Sequence, residues 1–164
     1  MLSPIIVAVD FDIKDALDLV KKLDPKDCRL KVGNQLFTAR GPEIVKIFQD
    51  KGFEVFLDLK FHDIPNIVNK AVKSAAELGV WMVNVHASGG GKMLEAANSA
   101  LENKNRKPLL VGVTLLTSLD KNSSREIGFQ LDPKDQALLL AKLCKDKDLS
   151  GVVCSPKEIV DLRR

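Results

Sequence analysis

The chain has 164 residues, of which 45% are hydrophobic, 29% charged and 5% aromatic, and its formal net charge is +3 at pH 7. These values predict one globular domain over residues 1–164 and argue against a disordered chain, a membrane span or a nucleic-acid partner. The basic cluster KNRK at 104–107 is expected to be a solvated loop.

The N-terminal stretch MLSPIIVAVD has a short apolar run and no basic region before it, so it does not resemble a secretory signal. A cytoplasmic protein is therefore expected. The cysteines fit a reducing compartment, because they are odd in number, far apart and without C-x-x-C spacing: Cys28, Cys144 and Cys154. We expect reduced thiols, with neither a disulfide framework nor a zinc site.

Apolar, β-branched runs predict six strands along the chain. They are IIVAV at 5–9, LKV at 30–32, FEVFLDL at 53–59, WMVNV at 81–85, LLVGV at 109–113 and GVVC at 151–154. Amphipathic segments between the strands predict helices at 14–23, 42–51, 65–78, 93–102 and 134–144. Strands that alternate with helices through short connections indicate an α/β fold with a parallel sheet.

Side-chain alternation in the third strand favours a closed barrel over an open doubly wound sheet. The odd positions from 53 to 59 are apolar, whereas Asp58 and Lys60 put charge on the opposite face. Polar residues also lie near the C-terminal ends of strands 1, 2 and 4, namely Asp10, Lys31, Asn84 and His86. In a TIM (β/α)8 barrel this face points inward, toward the C-terminal rim where active sites lie. We therefore predict the first six βα units of such a barrel.

The charged residues of the third strand suit proton transfer. Asp58 and Lys60 are two positions apart and point the same way, and Asp63 follows at the turn into the next helix. With Lys31 from the neighbouring strand they would form an alternating array, in which carboxylates offset the cost of partly burying the lysines. A lysine kept as an ammonium is a poor Schiff-base nucleophile but a competent proton donor. The array therefore fits a reaction that generates a carbanion, such as decarboxylation.

The stretch DLKFHDIP at 58–65 resembles the D-x-K-x-x-D signature of the orotidine 5'-phosphate decarboxylase family. Other segments resemble that family in the same order: VAVD at 7–10, LKVGNQLF at 30–37, VNVHASGG at 83–90, VTLLTSLD at 113–120 and VCSPKEI at 153–159. The resemblance implies a TIM barrel and a homodimer with active sites at the subunit interface. It also implies conversion of orotidine monophosphate to uridine monophosphate in pyrimidine biosynthesis, without cofactor or metal.

The resemblance further implies a role for each matching residue. Lys60 would protonate C6 of the pyrimidine, Asp58 would face the substrate carboxylate, and Asp63 would reach into the partner subunit's site. The substrate-binding residues would be Asp10 and Lys31, at the ribose hydroxyls, and Thr117 and Ser118, at the pyrimidine.

Simpler interpretations exist for several of these residues. Asp58 and Lys60 would, if isolated, be a structural ion pair at a strand end. Asp63 is also a candidate cap for the following helix, and Asp10 for the first helix, because aspartate is a preferred N-cap residue. His86 is expected to be a structural histidine of the barrel rather than a base, because no neighbouring residue is a nucleophile for it to activate.

The chain has six of the eight strands of a TIM barrel and ends at Arg164. It lacks the family's V-T-P-G-I-R stretch and the late loops that hold the substrate phosphate. We therefore expect a truncated chain that is inactive alone, in preference to a degenerate form or a chain completed by a partner. The alternatives are a magnesium-dependent sugar-phosphate decarboxylase or aldolase of the same barrel superfamily, and a non-catalytic barrel fragment.

Overall fold

A computed structural model describes residues 3–102 and 106–163. Two positions of the predicted basic cluster, 104 and 105, lie outside the described residues, as does residue 164. All six predicted strands are present: β1 (Ile6–Ala8), β2 (Arg29–Gly33), β3 (Val55–Phe61), β4 (Met82–His86), β5 (Leu109–Val113) and β6 (Gly151–Val153).

The strands form one parallel sheet in the order β1-β2-β3-β4-β5-β6. Because parallel crossovers are right-handed, a strand order that never reverses places the connecting helices on one face of the sheet. A doubly wound sheet, in contrast, reverses its strand order at a switch point. The sheet therefore curls into part of a barrel, which confirms the predicted α/β fold with the first six βα units of a TIM-type barrel.

The helices are α1 (Ile13–Val20), α2 (Asn34–Arg40), α3 (Glu43–Asp50), α4 (Pro65–Glu77), α5 (Gly91–Ser99), α6 (Lys121–Glu126), α7 (Pro133–Asp146) and α8 (Ile159–Leu162). Each predicted helix is present within a few residues of its expected ends. The unpredicted helices α2, α6 and α8 are too short to show a repeating amphipathic pattern, as are the 3₁₀ turns Ala87–Gly89 and Pro156–Glu158. In the described ranges, none of the helices has the length and hydropathy needed to cross a bilayer.

The two faces of β3 belong to different apolar clusters, as its alternation predicts. Val55 and Leu57 lie in the main core beneath the helices. Phe56, on the opposite face, packs with Met82 of β4 and Val111 of β5. Asp58 is the next inward-facing residue toward the C-terminal end of β3. The inner face of the sheet is therefore apolar in its lower part and charged at its rim.

The opposite end of the sheet is held by a separate polar cluster. The guanidinium of Arg29 lies 4.1 Å from the ring centroid of Trp81, a cation–π distance. Its Nε donates to Glu54 Oε2 at 2.8 Å, and its Nη1 donates to the Ser3 carbonyl at 2.7 Å. These contacts join the starts of the first four strands. In TIM barrels the N-terminal end of the sheet contributes to stability, and active sites lie at the C-terminal end. A functional site is therefore expected at the charged rim.

Replacing Gly112 in β5 by alanine is expected to lower the free energy of unfolding by about 1–3 kcal/mol, the usual cost of overfilling a core. A methyl group there would overlap the Sγ atom of Cys144 in α7. Gly151 in β6 is the matched control, because the nearest atom to a methyl group would lie 3.8 Å away, on Val111. Urea unfolding compares the two variants. Equal stabilities would contradict the prediction, and adding Cys144→Ala to Gly112→Ala should recover part of the loss.

Candidate active site

Four charged side chains, three from β2 and β3 and one from the loop after β1, meet at the C-terminal rim. Lys31 Nζ lies 2.9 Å from Asp10 Oδ1 and 3.3 Å from Asp58 Oδ2. Lys60 Nζ lies 2.8 Å from Asp58 Oδ1. Asp10, Lys31, Asp58 and Lys60 thus form an alternating series, called here the ion-pair chain. The predicted convergence of Lys31, Asp58 and Lys60 is confirmed.

Exposure increases from Asp58 toward both ends of the ion-pair chain. The Asp58 side chain is 11% exposed, whereas the side chains of Lys60 and Asp10 are 30% and 54% exposed. A carboxylate this deeply buried needs cationic partners, because removing a charge from water carries a large desolvation penalty. Asp58 has one ammonium on each oxygen. The partly exposed ends remain open to a polar ligand above the rim.

Asn84 of β4 adds a third donor to Asp58. Its Nδ2 donates to Asp58 Oδ1 at 2.6 Å, and its Oδ1 accepts the backbone N–H of Lys60 at 2.8 Å. The residue is fully buried. Sequence reasoning placed Asn84 on the polar face of the fourth strand but not among the site residues. An amide between the two valines of the strand is the available signal.

The backbone of Lys60 is left-handed, with φ of 53°. This conformation costs a residue with a side chain about 1–2 kcal/mol. Lys60 also lies in an irregularity of the sheet, because β3 runs from Leu57 to Phe61 while its partner β4 advances only from Val83 to Val85. Bulges of this kind redirect side chains and are frequent beside active sites. The strain at Lys60 therefore supports a functional role for this position.

Gly33 at the end of β2 leaves room for the first ion pair. A methyl group at Gly33 would lie 2.9 Å from Asp10 Oδ1 and 3.4 Å from Lys31 Nζ. A side chain at this position would therefore require the Asp10 carboxylate to shift. Sequence reasoning also missed this residue, because the need for glycine arises only when β1 and β2 are paired.

Asp63 is not the fourth member of the array, contrary to expectation. It is exposed in the bend after β3, where its Oδ1 accepts the backbone N–H of Ile64 at 2.6 Å. Among the described residues, no ion pair involves Asp63. The strand ends at Phe61, and in the bend that follows Asp63 uses its carboxylate on the backbone of Ile64 rather than on Lys60. The ion-pair chain ends instead at Asp10, on the other side of Lys31.

Neither aspartate has the capping role considered for it. The N-cap of α4 is Ile64, without a side-chain capping bond, so Asp63 lies one residue too early. The N-cap of α1 is Asp12, whose Oδ1 accepts the backbone N–H of Asp15 at 3.1 Å. Asp10 instead directs its carboxylate to Lys31.

Thr117 and Ser118 lie in an exposed turn after β5. The turn is closed by a hydrogen bond of 2.9 Å from the backbone N–H of Leu119 to the carbonyl of Leu116. It follows the same end of the sheet that carries the ion-pair chain. In the part of the chain that the structure describes, no hydrogen bond links either side chain to that series. Their contact with substrate stays a prediction.

Two histidines lie beside the ion-pair chain. The ring centroids of His62 and His86 are 5.3 Å apart, with the ring planes tilted by 42°. Burial lowers the pKa of His86 below the ordinary value of 6.5, and the positive charges of His62 and Lys60 lower it further, against an opposing effect of Asp58. His86 is therefore neutral at pH 7, which suits the structural role expected for it.

Comparison with known proteins shows relatives over nearly the whole chain. The profile of the family described as "Orotidine 5'-phosphate decarboxylase / HUMPS family" matches residues 3–164. A protein of Saccharophagus degradans named orotidine 5'-phosphate decarboxylase is 56% identical over 160 residues, which cover 97% of this chain and 67% of the relative. A protein of Klebsiella pneumoniae with the same name is 52% identical over 164 residues, covering 99% of this chain and 67% of the relative.

A solved structure has the same fold as this chain. The crystal structure of orotidine 5'-phosphate decarboxylase from Lactobacillus acidophilus superposes with a TM-score of 0.90 at 38% identity. The match covers 98% of this chain and 75% of that structure. The relatives are therefore longer than this chain.

Replacing His62 by glutamine is expected to raise the pKa of His86, because a nearby positive charge is removed. The ring protons of His86 report this pKa in an NMR titration, and the chain contains only two histidines to assign. Lys21→Gln, on the exposed surface of α1, is the control and should leave the titration unchanged. An unaltered His86 pKa in the His62 variant would contradict the prediction.

The lowered pKa of His86 also predicts the direction in which stability changes with pH. Below pH 6.5 an unfolded histidine binds protons that the folded His86 does not bind. The free energy of unfolding should therefore fall as the pH falls from 6.5 toward the folded pKa of His86. His86→Gln should reduce this dependence in urea unfolding series. An identical pH dependence in the variant would show that burial of His86 does not cause it.

Proposed function

The chain belongs to the orotidine 5'-phosphate decarboxylase / HUMPS family, and we propose that it carries the reacting groups of an enzyme that converts orotidine 5'-monophosphate to uridine 5'-monophosphate. The observation that carries the proposal is the buried carboxylate of Asp58 between two ammonium groups. The names of the relatives at 56% and 52% identity support decarboxylation over the other members that the family description covers.

Lys60 is the proposed proton donor. When the bond between C6 and the carboxylate breaks, carbon dioxide leaves and the electron pair remains on C6. The Lys60 ammonium stabilises this developing negative charge and then transfers one proton from Nζ to C6. The resulting amine takes a proton from water to restore the ammonium. Asp58, 2.8 Å from Nζ, keeps the amino group directed into the site.

Asp58 has a second proposed role toward the substrate. It would face the substrate carboxylate, and the repulsion between these like charges would disappear when neutral carbon dioxide departs. The two ammonium groups beside Asp58 keep this repulsion from expelling the substrate. The more exposed pair, Asp10 and Lys31, would bind the ribose hydroxyls, because one accepts and the other donates hydrogen bonds.

The remaining features of the enzyme follow from the family resemblance. Thr117 and Ser118 would contact the pyrimidine, and Asp63, exposed after β3, would enter the site of a second subunit in a homodimer. The proposed reaction requires charge stabilisation and one proton, so neither a cofactor nor a metal is needed. Residues 1–164 would form one partial barrel domain. The homodimer and the cytoplasmic location stay predictions.

Replacing Lys60 by alanine is expected to lower decarboxylation by about 10²–10⁴-fold, the usual contribution of a positioned general acid. The host is an extended protein, in which this chain is followed by the C-terminal part of the Saccharophagus degradans relative. Formation of uridine monophosphate is measured, with Lys21→Ala on α1 as the matched lysine control. Undiminished turnover in the Lys60 variant would leave a binding or structural role. Activity abolished by EDTA would instead favour the magnesium-dependent alternative.

Residues 1–164 on their own are expected to show no measurable decarboxylation. The resemblance places the phosphate-binding loops after strands 7 and 8, and binding energy from a remote phosphate lowers the barrier at the reacting carbon. The same assay compares this chain with the extended protein at equal concentration. Substantial turnover by residues 1–164 would show that the ion-pair chain acts without those loops.

A further inference from the structure

We propose that Asn84 is a positioning residue, which sets the location of the Lys60 ammonium through the backbone of Lys60 and through Asp58 at the same time. The inference rests on the proposed function, because it concerns the proton donor of that reaction. It goes beyond that function by assigning a role to a residue that does not contact the reacting atoms.

Asn84 closes a ring of hydrogen bonds around the proton donor. The backbone N–H of Lys60 donates to Asn84 Oδ1 at 2.8 Å, and Asn84 Nδ2 donates to Asp58 Oδ1 at 2.6 Å. The same Asp58 oxygen accepts from Lys60 Nζ at 2.8 Å. Starting at the Lys60 backbone, the path passes through Asn84 and Asp58 and returns to Lys60. Displacing any member of this ring displaces the ammonium.

The backbone bond accounts for the unusual conformation of Lys60. In a bulge the extra residue loses its partner in the ladder, so its N–H needs another acceptor. Leaving a buried N–H without one carries a substantial energetic penalty. The buried carbonyl oxygen of Asn84 supplies this acceptor, at the residue where φ is 53°. Asn84 thereby stabilises a backbone conformation that lysine rarely adopts.

The bond to Asp58 fixes the orientation of its carboxylate. Asp58 Oδ1 receives both Asn84 and Lys60, while Asp58 Oδ2 faces Lys31 at 3.3 Å. A carboxylate held at both oxygens cannot rotate without breaking a charge-assisted bond. The two lysines therefore keep distinct positions.

Only an amide of this length can make both bonds from β4. Aspartate keeps the acceptor for the Lys60 N–H but places a second carboxylate against Asp58. Alanine removes both the donor and the acceptor. Asn84→Asp and Asn84→Ala thus separate the two functions of the side chain. Thr114→Val is the matched control, because Thr114 is a buried polar residue just after β5 that donates to the Val153 carbonyl at 3.2 Å.

The first test measures φ at residue 60 in the chain itself, from NMR spectra that combine the coupling between its amide and α protons with the strength of the nuclear Overhauser effect between them, which is greatest when φ is positive. Asn84→Ala should lose the positive φ, whereas Asn84→Asp and Thr114→Val should keep it. A positive φ retained in Asn84→Ala would overturn the proposal. If Asn84→Ala does not fold, Asn84→Asp decides through the second test.

The second test measures kcat and KM in the extended protein. Asn84→Ala should lower kcat by about 10²-fold, the effect of misplacing a reacting group by roughly 1 Å, with little change in KM. Asn84→Asp should also lower kcat, whereas Thr114→Val should retain it. Unchanged kcat in Asn84→Asp or in Asn84→Ala would overturn the proposal. An unmodified extended protein without decarboxylase activity would instead refute the proposed function, and the φ measurement would still decide whether Asn84 holds Lys60.

Discussion

The buried charge of Asp58 is the constraint to which the rest of the site responds. A carboxylate that is 11% exposed needs compensating donors, and the sheet supplies Lys31, Lys60 and Asn84 from three adjacent strands. Lys60 and Asn84 donate to one oxygen of the carboxylate, and Lys31 faces the other. The ammonium groups are stabilised in return, because a carboxylate replaces part of their lost hydration. The opposite charges of the site therefore stabilise one another against the loss of hydration, unlike separate ion pairs at the surface.

The parallel sheet keeps the charged groups of the site apart from the apolar residues that stabilise the fold. Phe56 and its neighbours fill the lower part of the inner face, and Arg29 over Trp81 joins the strand starts at the far end. The rim can then carry strain at Lys60, because the main core is formed by the other face. A positive φ at a functional lysine is tolerated where the surrounding structure determines the conformation independently.

Much of this arrangement can be predicted from the sequence, because it follows from side-chain period. Alternation places Asp58 and Lys60 on the inner face, and parallel pairing brings Lys31 beside them. Asp63 lies beyond the end of the strand at Phe61, where side-chain period no longer fixes direction, and its predicted place in the array is wrong. The roles of Asn84 and Gly33 cannot be predicted from the sequence for another reason. Their roles depend on the register between strands, which a single sequence does not specify.

The sequential order of the strands has a consequence for how the protein is made. Asp10, Lys31, Asp58, Lys60 and Asn84 enter the sheet from four consecutive strands, each neighbour to the last. Synthesis proceeds from the N-terminus, and a domain generally folds as a unit. These five residues are therefore synthesised before β5 and β6, and they meet when the domain folds. The ion-pair chain is thus encoded before β5, while its burial depends on a sheet that β5 and β6 extend.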